Sequence, residues 1–210
     1  MKNLIIVGAG GFGRELLLWV KDINRVSNKW NIKGFLDDNL GALENYTCDY
    51  PVIGKIEDWE PSEDEVFACA IAEPKIKEKV VKTLKSRGAI FEQIIHPRAS
   101  IGEFNDIGEG SVIYPNAVLT VNIEIGNFVT ILSSGIGHDC TIEDYTTISS
   151  FCGVNGKVKI GKRVFLASNV VIVPGKSIGD DSFIGAGSVV IRSVKKGSKV
   201  FGNPSKELGF

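Results

Sequence analysis

Ile101-Gly102-Glu103-Phe104-Asn105-Asp106-Ile107-Gly108-Glu109-Gly110-Ser111-Val112-Ile113 opens the stretch that decides the fold. Ile101, Ile107 and Ile113 stand six residues apart, and the spacing runs on through Leu119, Ile125 and Ile131. One step of five follows. The period then resumes at Ile136, Ile142, Ile148, Val154, Ile160, Leu166, Ile172, Ile178, Ile184 and Val190. All sixteen are Ile, Leu or Val. The next position is often glycine (Gly102, Gly108, Gly126, Gly137, Gly161, Gly179, Gly185). The fourth position after each is often small or β-branched, as at Ser111, Ala117, Val129, Cys140, Thr146 and Cys152. Such a period fits neither the turn of an α-helix nor the alternation of a simple sheet. It fits a short strand plus a tight turn. Three such units close a triangular coil, and stacked coils pair their strands as a parallel β-helix. Inward aliphatics then stack 18 residues apart, and residues 101–195 make about five coils.

The rest of the chain sets limits on function. It has 210 residues, 43% of them apolar and 23% charged, which is globular composition. Lys+Arg 24 against Asp+Glu 25 leaves a net charge of −1, without the basic excess of a nucleic-acid binder. No run reaches the roughly 18 apolar residues of a membrane span. The apolar stretch Leu4–Val7 is too short for the core of a signal peptide, so a cytoplasmic address is the expectation. Cys48, Cys69, Cys140 and Cys152 form no CxxC pair and predict neither disulfides nor a zinc finger. Cys140 and Cys152 read as small core residues on different faces of the coil. Two histidines, His96 and His138, cannot supply a three-histidine metal site within one chain, so no metal is expected.

Leu4–Val7 reads as a buried strand, followed by Gly8-Ala9-Gly10-Gly11-Phe12-Gly13 and the helical pattern Arg14–Val20. A strand, a G-x-G-x-x-G turn and a helix face backbone N–H groups and a helix N-terminus toward an anion. Trp30–Leu36 is a second strand ending in Asp37-Asp38, Val66–Ile71 a third, Pro74–Arg87 a helix and Ala89–Ile95 a last strand. The alternation predicts a small, mostly parallel α/β sheet. About 95 residues hold only one of the two halves of a dinucleotide fold, so a mononucleotide or sugar nucleotide suits the space better than NAD. Asp37 lies where a ribose hydroxyl acceptor is expected. The alternatives are a glycine turn that only packs the helix and an Asp37 that is a solvated turn residue. His96-Pro97 marks the seam, with His96 read as structural.

A glycine-rich α/β unit followed by a hexapeptide β-helix resembles the NeuD/PglD-type acetyltransferases, within the left-handed β-helix acyltransferases. The resemblance covers nearly the whole chain. It is carried, in order, by Val7–Arg14, Gly34-Phe35-Leu36-Asp37-Asp38, Ile95-His96-Pro97, Gly137-His138-Asp139-Cys140, Ile184–Val190 and Gly202-Asn203-Pro204-Ser205-Lys206. It implies an α/β Rossmann-like half-domain at 1–95, an all-β left-handed parallel β-helix at 96–197 and a C-terminal tail at 198–210. It also implies a homotrimer with sites between protomers, acetyl-coenzyme A as co-substrate, and a nucleotide-linked amino sugar or a sialic acid as acceptor. Along the matching motifs, Thr147, Ser168, Ala186 and Lys206 would contact coenzyme A. Gly10, Gly11, Phe12, Gly13, Asp37 and Asp38 would hold the sugar nucleotide. Two positions depart from the family pattern: Phe12 stands where many relatives carry histidine, and Ile131 where an asparagine is common that could help place the acceptor.

The family places its general base at the position of His138 and an assisting acid at that of Asp139. The spacing of residues converges on the same place. His138 is the second residue after Ile136, which puts it on a corner, pointing outward, just past the break in the period. Gly156 and Pro174, 18 and 36 residues later, should stack above it, Gly156 leaving room for an acyl group. Acyl transfer to an amine must remove a proton as nitrogen attacks the thioester, and imidazole changes charge near neutral pH. Backbone N–H groups of an adjacent coil are the expected oxyanion donors. The leading expectation is acetyl-coenzyme A-dependent N-acetylation of a UDP-, dTDP- or GDP-linked 4-amino-dideoxyhexose for a bacterial surface glycan. The alternatives are O-acetylation of a sialic acid or another sugar and, in a different class, a non-enzymatic β-helix scaffold. An NAD-dependent oxidoreductase lacks a catalytic lobe.

Overall fold

A computed structural model describes residues 1–207; residues 208–210 of the expected tail lie outside the described part. The chain divides into two compact units, Met1–Pro97 and the remainder from Arg98.

In the first unit, β1 (Lys2–Val7), α1 (Gly11–Ser27), β2 (Trp30–Leu36), β3 (Val52–Gly54), β4 (Glu65–Cys69) and α2 (Pro74–Ser86) follow one another. The four strands are all parallel, in the order β3-β2-β1-β4. Leu4 to Val7 are fully buried because β1 is central, with α1 setting Leu16 and Val20 inside. This is one βαβ half of a dinucleotide fold. Pro74 opens α2, and the Glu73 carboxylate caps it by accepting from the Ile76 N–H at 2.6 Å.

Two elements differ from the sequence reading. The strand expected over Ala89–Ile95 is a single bridge, Phe91 to Phe67, and a two-residue strand, Ile94–Ile95. Pairing cannot start earlier, because the Gly88 and Ala89 N–H groups donate to Lys85 and Leu84 carbonyls at the end of α2. The short strand β3, just after Pro51, carries no alternation long enough to read and takes its conformation from pairing with Phe35 and Leu36.

The second unit is a parallel β-helix. Two-residue strands recur every six residues and stack on three faces. One face stacks Asp106–Ile107, Glu124–Ile125, Thr141–Ile142, Lys159–Ile160 and Ser177–Ile178. A second runs from Val112–Ile113 through Thr147–Ile148 and Phe165–Leu166 to Lys199–Phe201. The third carries Ser100–Ile101, Val118–Leu119, Gly135–Ile136, Gly153–Val154, Val171–Ile172 and Val189–Val190. From Ile113 to Val190 every aliphatic of the period is at most 4% exposed. At roughly 25 cal/mol per Å² of apolar area removed from water, these columns are the main stabilising term of the coil.

The corners explain the rest of the pattern. From Ile101 to Ile184 the third residue after each aliphatic except Ile131 adopts a left-handed conformation, from Phe104 (φ 58°) through Asp139 (φ 59°) and Lys157 (φ 63°) to Asp181 (φ 59°), with glycine at 110, 175 and 187. Its N–H donates to a carbonyl of the preceding coil, as Lys157 does to His138 at 2.9 Å. Small residues then tie the turn to the next coil. Ser111 Oγ donates to the Gly126 carbonyl and accepts the Val129 N–H. Thr146 does the same between Gly161 and Val164. Cys140 and Cys152 stand at this station on different corners, each thiol 3.1 Å from a carbonyl of the next coil, Asn155 and Ala167. Burial raises both thiols above their ordinary range, as expected of unreactive core cysteines. In the one short step, Ser134 makes the same pair of bonds, to the Ser149 carbonyl and from the Cys152 N–H. The residue missing between Ile131 and Ile136 is therefore the left-handed one.

Candidate functional site

His138 occupies the corner Gly137–Cys140, between the strands Gly135–Ile136 and Thr141–Ile142. Its backbone is pinned: its carbonyl accepts from Lys157, and Cys140 is bonded to the next coil. The side chain projects outward and is 57% exposed. Nδ1 lies 2.8 Å from Asp139 Oδ2. The hydrogen bond from His138 is the main reason the Asp139 carboxyl sits below the ordinary carboxylate range, with Lys157 adding a favourable charge. An ionised carboxylate only accepts, so Nδ1 carries a proton, and in the neutral imidazole the lone pair is then on Nε2. Among the described residues Nε2 has no hydrogen-bond partner. Asp139 can hold this place because a short polar side chain tolerates the left-handed corner.

Gly156 lies against the ring. A methyl group there would fall 2.5 Å from Nε2 and 2.7 Å from Cε1 of His138. The space expected for an acyl group is thus taken by the imidazole itself, which leans along the coil axis. The Gly156 N–H donates to no protein acceptor among the described residues.

The other residues singled out in the β-helix fall elsewhere. Ser168 and Ala186 stack on a different edge, where the Ser168 carbonyl accepts from the Gly187 N–H at 2.9 Å. Ala186 is exposed and Ser168 half-buried. Thr147 is only 1% exposed, so its side chain presents nothing to a ligand. Lys206 lies in the terminal strand Lys206–Glu207, antiparallel to Lys199–Phe201. It lines a cavity of about 440 Å³ with Arg192, Lys195, Ser198, Ser205 and Glu207. Three cations against one carboxylate suit phosphate groups. Arg192 and Lys195 were not singled out from the sequence. The signal was there, since Arg192 is 54 residues past His138, three full coils along the same corner column. Ile131 is fully buried within the columns, so this position cannot help place an acceptor.

In the first unit, the four glycines of the turn separate by task. Gly8 has φ +101°. A Cβ on Gly13 would stand 1.9 Å from the Gly8 carbonyl oxygen, so Gly13 allows α1 to pack on the turn. Gly10 and Gly11 face open space at the start of α1, where no side chain caps the helix. Asp37 sits beside them: Oδ2 accepts the Ala9 N–H at 2.8 Å and Oδ1 the Asn39 N–H at 2.9 Å. Asp38 is turned away and caps the segment after β3, its Oδ1 accepting from Ile56 and Glu57. Phe12 is half-buried. His96 is buried, 3.3 Å from Asp22 and edge-on to Trp19. Gly10, Gly11 and Asp37 therefore come together, while Gly13 and Asp38 serve the scaffold.

Known proteins resemble this chain in sequence and fold. A family profile described as the PglD N-terminal domain matches residues 3–84, and one described as the bacterial transferase hexapeptide (six repeats) matches residues 157–192. A GDP-perosamine N-acetyltransferase of Escherichia coli O157:H7 is 30% identical, over 97% of this chain and 95% of that protein. The solved structure of WeeI from Acinetobacter baumannii AYE superposes with a TM-score of 0.88 at 30% identity, covering 99% of this chain and all of that one. PerB from Caulobacter crescentus, in complex with CoA and GDP-perosamine, shares the fold with a TM-score of 0.89 at 21% identity, covering 100% of this chain and 98% of that one.

Proposed function

This chain belongs to the PglD-type hexapeptide-repeat sugar N-acetyltransferases, enzymes with acetyl-coenzyme A as co-substrate, and from that premise we propose that it N-acetylates a nucleotide-linked 4-amino-dideoxyhexose with His138 as general base. The observation that carries the reading is the single-sided engagement of the imidazole. Nδ1 is held by Asp139 at 2.8 Å, and Nε2 is bare on an exposed corner. As the sugar amine attacks the thioester carbon, the C–N bond forms and Nε2 takes the amine proton. The C–S bond then breaks, and the thiolate recovers a proton as it leaves. The unpaired Gly156 N–H is the donor available to the oxyanion.

The cationic cavity of Arg192, Lys195 and Lys206 suits the phosphates of coenzyme A, and Ala186 with Ser168 offers a surface for the rest of that molecule. Thr147 does not fit this role. Open space at Gly10 and Gly11 beside the Asp37 carboxylate suits the diphosphate and ribose of a sugar nucleotide. The third face of the β-helix, with exposed Val118 and Val171 around Gly135 and Gly153 and exposed Phe151 at its rim, supports a homotrimer with sites between protomers. Both substrates point to a cytoplasmic enzyme in surface-glycan synthesis.

The test is release of coenzyme A thiol with UDP-, dTDP- and GDP-linked 4-amino sugars beside free sialic acid, products identified by mass spectrometry. N-acetylation of at least one sugar nucleotide is expected. Turnover of sialic acid alone would reassign the acceptor, and no acetyl-coenzyme A binding by calorimetry would leave only a scaffold.

A further inference from the structure

We infer that Gly156 is a positioning residue: by having no side chain, it gives the His138 imidazole its seat on the next coil. The inference rests on His138 as the base. A Cβ on Gly156 would lie 2.5 Å from Nε2, 2.7 Å from Cε1 and 3.0 Å from Cδ2 of that ring, and these three atoms are its nearest neighbours. The ring therefore lies across the Gly156 Cα, close enough that even one methyl group cannot share the space.

Nothing else at this position calls for glycine. Its φ lies outside the left-handed region, unlike that of Gly175 or Gly187. The same corner station in other coils holds Val121, Pro174 and Arg192, so the turn accommodates bulky side chains. The contrast with Gly137 is direct: a Cβ there would meet Gly156 backbone at 2.7 Å, a demand of the fold itself. At 156 the three nearest atoms all belong to the far end of a side chain from the preceding coil.

Two contacts then set the ring: Asp139 on Nδ1 at 2.8 Å and the Gly156 Cα beneath its other edge. A methyl at 156 needs roughly 1 Å of retreat to reach ordinary contact distance. The ring can give way only by rotating, which takes Nδ1 off the carboxylate and re-aims Nε2. Displacement of that size lowers the turnover of a positioned group by up to about 100-fold.

The experiment uses the full chain carrying Gly156→Ala. Long-range 1H–15N spectra of the substrate-free protein report which ring nitrogen of His138 is protonated. Only two histidines are present, and His138→Gln assigns them. The expected result is a protonated Nδ1 and bare Nε2 in the unaltered chain, and loss of that preference in Gly156→Ala, with kcat down about 10- to 100-fold and KM for both substrates nearly constant. Should Gly156→Ala fail to fold, the pair His138→Ala with Gly156→Ala must fold, since the ring no longer competes for the space. Failure of both would show that the corner itself needs glycine and overturn the inference. An unchanged ring signature overturns it whatever kcat does. A changed signature with unchanged kcat keeps the seat and instead refutes His138 as base.

Discussion

Replacing His138 by alanine tests the chemistry with little cost to the fold. The ring makes one hydrogen bond, to Asp139, and both groups face solvent. Its corner station takes valine, glycine, proline and arginine in other coils. The melting temperature should therefore move by no more than about 2 °C. A positioned general base contributes roughly 10²- to 10⁴-fold. With the ring 57% exposed, water can reach the amine and act as a poor substitute, which places the loss in the lower half, about 10²- to 10³-fold. That is about 3–4 kcal/mol of barrier. The assay is initial-rate release of coenzyme A thiol at saturating concentrations of both substrates, so that KM changes cannot pass for a loss of kcat. Truncation also empties the space over the Gly156 Cα, so added imidazole should restore part of the turnover. A kcat within threefold of the unaltered enzyme, or a loss explained by unfolding, would refute the assignment.

Asp139→Asn should lower kcat about 10-fold, less than loss of the ring, because the amide can still hold it in place. The Asp139 carboxyl is lowered by the His138 hydrogen bond, so its contribution is present above the ordinary carboxylate value and is lost only as pH falls through the lower folded value. Carbon-13 titration of this carboxylate should then show it ionised throughout the working pH range, and the acid limb of kcat should not track it. In the glycine turn, Gly13→Ala should destabilise the first unit by about 3 kcal/mol, since its methyl would collide with the Gly8 carbonyl. Gly11→Ala should fold normally and raise KM for the sugar nucleotide; denaturant melts and steady-state kinetics separate the two. Lys77 is fully buried in α2, and desolvation lowers its pKa to about 8 from the ordinary 10.5, with partial compensation from Cys69 and Glu73. The unfolded chain binds this proton more tightly, so stability should rise between about pH 8 and 10.5 and be flat in this respect below 8. The urea midpoint checks it, and Lys77→Met should remove the slope.

The sequence by itself determined the six-residue winding, the inward column of aliphatics, the corner position of His138 and the strand–turn–helix at Gly8–Gly13. These are legible because each follows from steric and polarity rules among residues a few positions apart: an inward aliphatic recurs once per short strand and turn, glycines let a strand turn tightly into a helix, and buried stations take small residues. The tertiary structure decided what happens between coils and between loops. It filled the gap over Gly156 with the imidazole, buried Thr147, and gave Gly13 to packing while leaving Gly10 and Gly11 open. It delayed the start of pairing to Phe91 because helix α2 had already claimed the N–H groups before it. Such outcomes depend on rotamers and on competition for backbone groups brought together from distant parts of the chain. No local spacing rule carries that information.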